Sequence, residues 1–384
     1  MGKAQDLQPH NTVKGGEEVN TLESEKITHQ ATISQLKDFT WWVRMAIYTL
    51  FVLSGQSAAI LLGRLYYNKG GKNLWMATLV QFIGFPILIP YHCILSSKKI
   101  ALNRNVNQLD VSALAFMYLS FGVLLAADSF LYSIGLLYLP VSTFSLICAS
   151  QLAFNAFFSF CLNAQKFTPC IVNSLVILTI SSTLLVFHPS SVNLTGISKE
   201  KYTVGVICTV GASAGYGLMF SLTQFSFEKV LKSQTFVTVL EMIIYESLVA
   251  TCATLVGLFI SEEWQGLKRE MEEFELGRSS YLLTLICTAM AWQTFNIGAI
   301  GLIFEVSSLF SNVISASGLP FVPVLAVIFF KENMDGIKVI ATVLALWGFA
   351  SYLYQHYLDD LESKAETKHV KEISMIPLLK EDNF

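Results

Sequence analysis

Charge is scarce in this sequence. Only 14% of its 384 residues are Asp, Glu, Lys or Arg, against roughly 25% in an ordinary soluble protein. The charge that exists is pushed to the ends: residues 1–40 hold ten charged side chains and residues 359–384 hold eleven of the 53 in the chain. A soluble globular body is excluded. A net charge of −3 without a basic cluster argues against nucleic acid as a partner. Metalloprotease and phosphate-loop signatures are missing as well, since H-E-x-x-H and G-x-x-x-x-G-K-[ST] do not occur. The seven cysteines all lie in apolar segments and no two have C-x-x-C spacing, so neither a disulfide framework nor a metal site is expected, and nothing implies a cofactor. The first forty residues have no apolar signal-peptide core, and Asp6 stands where a myristoylation signal needs Ser or Thr. The first apolar span is expected to act as its own insertion signal.

What is present is length of apolar run. A hydrocarbon core takes ~20 apolar residues as helix. Ten such runs are readable: 43–66, 73–95, 112–136, 139–162, 168–187, 202–227, 235–260, 280–301, 304–330 and 337–357. A spanning barrel would need strict alternation, which is absent, so the expected fold is an all-α integral membrane bundle of ten transmembrane helices. Residues 1–42 and 358–384, rich in Lys, Glu, Gln, Ser and Thr without apolar periodicity, are expected to be disordered tails. An even number of spans puts both tails on one side. The Lys/Arg count of the short loops opposes a cytoplasmic assignment until the tails and Arg44 are added to it. A sequon at Asn193-Leu194-Thr195 after span five agrees with that assignment.

The halves echo one another. GLLYLPVST at Gly135–Thr143 precedes span four and GLIFEVSS at Gly301–Ser308 precedes span nine, five spans later. A repeat of odd length has inverted topology, the plan by which many secondary transporters frame one midplane cavity. The expected units are residues 43–187 and 202–357. Pro86 and Pro90 in span two, and Gly318, Pro320 and Pro323 in span nine, mark expected kinks.

Between Val111 and Gln165 the single charged side chain is Asp128. A carboxylate at bilayer depth is costly unless it faces a cavity, a partner or a proton, so it is a site candidate by default. Asp128 and Glu241 are the candidates for carrying a proton, and an ion pair with Arg64 is the alternative for Asp128. Glu246 is a third acid within a span, five residues from Glu241 and so not on one tight face with it. No Lys or Arg lies in a span interior, which disfavours an anionic substrate and favours a neutral or weakly basic one. For binding such a ligand, Trp292, Gln293 and Asn296 in span eight combine an indole with amides that can pair with an adenine-like edge. Gln151 and Asn155 in span four, Tyr132 and Tyr216 complete the candidate set. Interhelical packing is the competing reading for each. With no phosphate-binding loop, uphill movement has to borrow an ion gradient.

Longer stretches carry a family resemblance. GRLYYNKGG (Gly63–Gly71), AADSFLYSIGLLYLPVSTFSLICASQLAFNAFFS (Ala126–Ser159), QKFTP (Gln165–Pro169), SLTQFSFEKV (Ser221–Val230), GLIFEVSSLFSNVIS (Gly301–Ser315) and WGFASYLYQHYLD (Trp347–Asp359) resemble the plant purine permeases of the drug/metabolite transporter superfamily. The resemblance covers about residues 43–359. It implies two inverted five-helix repeats, cytoplasmic termini and proton-coupled uptake of adenine, adenine-type cytokinins and related heterocycles by alternating access. The implied location is the plasma membrane in preference to an internal membrane. Vitamin B6 or an alkaloid is the alternative substrate, and a non-transporting receptor is the rival of another class.

Overall fold

The structure is a computed structural model that describes residues 15–102, 111–164, 169–186, 198–231, 236–351, 354, 355 and 358. The sequon and the C-terminal tail lie outside the described residues. Among the described residues there is no strand. The helices are α1 (Gly15–Asn68), α2 (Leu74–Leu79), α3 (Ile89–Leu102), α4 (Val111–Tyr138), α5 (Val141–Cys148), α6 (Gln151–Asn163), α7 (Pro169–Val186), α8 (Lys199–Phe225), α9 (Phe236–Ile260), α10 (Leu267–Glu273), α11 (Arg278–Glu305), α12 (Ser308–Gly318) and α13 (Phe321–Phe330). A further apolar helix, α14, covers Gly336–Ser351.

Seven segments are helical, long and apolar enough to cross a bilayer: Phe39–Asn68, Ser112–Tyr138, Val141–Asn163, Lys199–Leu231, Phe236–Ile260, Arg278–Glu305 and Ser308–Phe330. Three shorter apolar helices, Phe85–Ser97, Val172–Ser181 and Gly336–Ser351, fall in the other three apolar runs of the sequence. Their outer faces remain greasy, with Ile87, Phe116, Ile207, Phe259 and Val343 more than half exposed. Such surface is stable in lipid and not in water. The helix α1 starts at Gly15, inside the stretch expected to be a disordered tail. The sequence from Glu17 to Asp38 contains neither Pro nor Gly, so nothing breaks the helix that continues into the first span.

Irregularities in the spans have local causes. In the second apolar run, residues 80–84 form turns before a 3₁₀ stretch, Phe85–Leu88, with Pro86 in its first turn, and Pro90 falls in the first turn of α3. A proline in a first turn loses no helical hydrogen bond. In the ninth apolar run, Pro320 has no N–H to give and separates α12 from α13. The fourth span is interrupted too, at Ala149-Ser150, where no proline stands. There the Ser150 N–H donates to the Ile147 carbonyl at 3.0 Å, a tightened turn of 3₁₀ type.

These two interrupted spans lie against each other head to tail, α5 on α13 and α6 on α12. Their crossing is the main apolar core, with Leu139, Leu146, Ile147, Leu152, Leu309, Val313, Leu319 and Val322 all fully buried. Each span ends on a non-glycine residue in the left-handed region, Ala164 (φ 50°) and Lys331 (φ 54°). Polar bonds lock the α6–α12 contact reciprocally: the Asn155 amide donates to the Ser308 carbonyl at 3.1 Å, and the Asn312 amide donates to the Gln151 carbonyl at 3.2 Å.

Around this pair, α8 packs on α4 and α6, and α9 packs on α4. A Cβ at Gly217 would lie 2.6 Å from the Asn155 backbone nitrogen, so α8 and α6 approach closely only because this residue has no side chain. The distal end of the bundle is the one carrying residues 69–73, 139–140 and 261–277. The proximal end carries residues 163–164, 226–231 and 305–307.

Candidate functional site

Between the spans, and reaching from their middle toward the distal end, lies a cavity with about 860 Å³ of empty space, part of it open to solvent. Its walls come from α1 (Gln56, Ile60, Gly63, Tyr67), the broken second span (Ala77, Gln81, Phe82), α4, α5 and α6 (Phe144, Cys148, Gln151), α8 (Tyr216) and α11. From α4 come Leu125, Asp128, Ser129, Tyr132, Ser133 and Leu136, which share one side of a helix because they recur at three and four residues. From α11 come Thr288, Trp292, Phe295 and Asn296, by the same spacing. No Lys or Arg lines it.

Asp128 is the singular group here. Its side chain is 3% exposed, and neither carboxylate oxygen has a hydrogen-bond partner among the described residues. It rests against α8 at Gly215, where an added Cβ would collide with Oδ1. Gly215 therefore holds the space that the carboxylate occupies. Arg64 does not pair with it. The Arg64 guanidinium turns to the end of α4 and donates through Nη1 to the carbonyls of Leu136 (2.9 Å) and Leu139 (3.0 Å). A cation suits that position because the last carbonyls of a helix lack partners and carry the negative end of its dipole. An unpartnered buried carboxylate calls for an explanation such as a ligand, a proton or water.

Aromatic rings surround this group. Tyr216 stacks on Phe295 (centroids 6.4 Å, 27°) and meets Tyr132 edge-on at 6.2 Å, while Trp292 meets Phe295 edge-on at 5.6 Å. The Tyr132 hydroxyl reaches Gln151 Oε1 at 3.4 Å and Ser213 Oγ at 3.5 Å. The Gln151 amide then donates to Ser315 Oγ (3.2 Å), whose hydroxyl donates to Gln56 Oε1 (3.3 Å). On the opposite wall, Gln81 Nε2 and Thr78 Oγ1 both donate to Ser133 Oγ, at 3.2 and 3.0 Å. The arrangement offers flat π faces, amides and hydroxyls around one acid in an otherwise apolar space. That set suits a planar, uncharged ring system bearing N–H donors and ring-nitrogen acceptors.

Of the residues singled out from sequence, Asp128, Tyr132, Gln151, Tyr216, Trp292 and Asn296 come together on this cavity. Three others lie elsewhere. Gln293 points to the neighbouring helix and donates to the Phe82 carbonyl at 3.2 Å, beside the break in the second span. Asn155 is fully buried between α6, α8 and α12, its Oδ1 accepting from Ser221 Oγ at 2.8 Å. Glu241 is partly exposed on α9 and faces His92 Nε2 at 3.3 Å. Gln56, Gln81 and Cys148 line the cavity without having been singled out as site residues. Their shared helix faces with Ile60, Ala77 and Phe144 are the signal that finds them, once a face is known to be wet.

The distal ends are tied across the mouth. Glu270 on α10 accepts the Tyr66 hydroxyl, the Tyr281 hydroxyl (3.0 Å) and the backbone N–H groups of Lys72 and Asn73 (3.0 Å each). The Asn73 amide donates to the Glu263 carbonyl at 3.1 Å, and Lys69 pairs with Glu275 at 2.8 Å.

Known proteins can be set beside this geometry. A family model for purine nucleobase transmembrane transport matches residues 43–362. Purine permease 21 of Arabidopsis thaliana is 54% identical over 354 residues, covering 91% of each chain. Probable purine permease 10 of the same plant is 53% identical, covering 92% of this chain and 91% of the relative, and probable purine permease 8 is 50% identical over 95% of this chain and 93% of the relative. With its membrane-spanning helices and its cavity free of fixed cations, the chain is a multi-pass integral membrane protein that belongs to the purine nucleobase transporter family, a family of transporters and not of enzymes.

Proposed function

We propose that this protein is a proton-coupled importer of purine bases and adenine-type cytokinins, working by alternating access. The observation that carries the reading is the unpartnered, buried Asp128 carboxylate on a cavity lined by aromatic and amide side chains. Asp128 carries the proton. Trp292 and Tyr216 stack on the base, and Asn296, Gln151 and Tyr132 meet its edge. The apolar wall of Ile60, Leu125, Leu136 and Phe144 receives the N6 substituent of a cytokinin. Gln293 and Asn155 act one step back, as positioning residues that hold α11 and α6 against their neighbours. Glu241, paired with His92 and away from the cavity, is left to the protein surface.

Ten spans in two inverted five-helix halves, 43–187 and 202–357, supply the moving parts. The head-to-tail crossing of the two interrupted spans and their matching left-handed ends support that division. The distal cavity then belongs to an outward-facing form, with cytoplasmic termini and the plasma membrane as the site of action. The test is radiolabelled adenine and trans-zeatin uptake in yeast lacking its own purine importer, at acidic and neutral external pH, with and without a protonophore. Saturable uptake that is faster in acid and lost with the protonophore is expected. Surface expression without purine uptake would overturn the substrate assignment and turn attention to vitamin B6 and alkaloids.

A further inference from the structure

A second cavity lies on the proximal side of the first. It has about 430 Å³ of empty space and is lined by α8 (Met219, Phe220, Thr223), α9 (Ile243, Glu246, Ser247) and α11 (Ala299, Ile300, Ile303). Three residues line both cavities: Leu125, Tyr216 and Asn296. These form a septum between two compartments, each holding one carboxylate. Glu246 in the proximal compartment is 3% exposed, and its Oε1 has no hydrogen-bond partner among the described residues.

Among the described residues, no Lys or Arg lines the compartment of Glu246. On α4 it has Tyr118, which stacks on Tyr245 at 5.0 Å, and on α8 it has Tyr216. Along its own helix the nearest charged residue is Glu241, which faces His92 of α3. None of these is a Lys or Arg. An acid in such a place has two stable options: to hold a proton, or to be reached by water when it gives one up. The small, mostly apolar compartment, with Thr223, Ser247, Asn296 and Tyr216 as the polar groups beside the acid, suits a proton and a few waters better than a second purine.

We propose that Glu246 is a second proton-binding site, serving the proximal side of the septum as Asp128 serves the distal side. The inference rests on the proton-coupled reading above. Asp128 takes up a proton from the distal side. After the septum residue Tyr216 shifts, Asp128 gives up that proton through the central space to the Glu246 carboxylate, which releases it to the proximal water. One proton enters and one leaves, so the chain returns to its starting charge.

The test uses full-length protein in oriented proteoliposomes with a pH dye in the lumen, the proximal end facing inward. Radiolabelled adenine is the probe, in net uptake and in counterflow at equal pH. In the wild-type protein, net uptake should slow as the lumen is acidified, by up to about tenfold per pH unit for one released proton. Glu246→Gln should keep counterflow and the dependence on external pH, but lose the dependence on lumenal pH. Retained counterflow shows that the variant is folded. If Glu246→Gln does not insert, Glu246→Asp keeps the acid and should displace the lumenal pH midpoint. Lumenal pH dependence in either variant equal to that of the wild type would overturn the assignment of Glu246. A wild-type protein that carries adenine without moving protons would instead overturn the coupling reading on which it rests.

Discussion

The block where α6, α8 and α12 meet and the distal cavity are built from the same residue types and use them in opposite ways. In the block, Asn155 engages both ends of its amide, donating to the Ser308 carbonyl and accepting from Ser221, while Ser159 meets Ser308 at 3.1 Å. Those bonds tie α6, α8 and α12 into one block, which Gly217 allows to close fully. At the distal cavity, the Asp128 carboxylate has no partner among the described residues and the nearby amides point along a cavity wall. A satisfied polar network makes a rigid block, whereas an unsatisfied acid on an open wall leaves a place for something that arrives and departs. The difference teaches that intramembrane polarity by itself does not mark a site; what marks it is polarity left without a partner beside empty space.

Three glycines of α8 can break this comparison most forcefully. Gly215→Ala would drive a Cβ into the Asp128 carboxylate, and uptake should fall at least about fivefold while membrane level holds, since overpacking by one methyl costs roughly 1–3 kcal/mol. Gly217→Ala should act on the block, lowering thermal stability and membrane level by an amount in the same range. Gly211→Ala, where the nearest contact for a Cβ is the Leu131 methyl at 3.9 Å, should change neither. Equal effects at all three positions would erase the distinction between site and block.

Next in size is a pair of neighbours on α11. Trp292→Ala should raise the KM for adenine about 5- to 100-fold at near-normal stability, because a base stacked on an aromatic ring gains ~1–3 kcal/mol. Gln293→Ala removes one interhelical hydrogen bond to Phe82 and should cost about 1 kcal/mol of stability with KM unchanged. Uptake kinetics and detergent thermal melts on the same preparations separate the two. The smallest effect is at the distal mouth. Glu270→Gln weakens the acceptor of the Lys72 and Asn73 N–H groups, and amide exchange there should accelerate about tenfold, the equivalent of ~1.4 kcal/mol in local opening.

Much of the architecture is legible in the sequence because lipid imposes one rule, that long apolar stretches be helical. Each of the ten apolar runs holds apolar helix, and in seven of them the helix is long enough to cross a bilayer. The kinks at Pro86 and Pro320 are legible for the same kind of reason, since proline lacks an N–H. The interruption at Ala149-Ser150 is not, because it follows from how α5 and α6 cross α13 and α12 and from no local residue preference. At the site, Asp128 and its i+4 neighbour Tyr132 are readable from one helix. The roles of Gln293 and Asn155 are not, since Asn296 and Gln293 differ only in which side of α11 faces the cavity. Glu246 stands out in the sequence as an acid within a span. Its place on a second compartment becomes apparent only when α4, α8 and α11 are seen to lie between the two cavities.

The most direct test of the central claim is Asp128→Asn, measured for adenine accumulation against a gradient and for adenine counterflow in the same vesicles. Loss of accumulation with counterflow preserved is the result expected if Asp128 carries the proton. Accumulation that persists at the wild-type ratio would contradict the account.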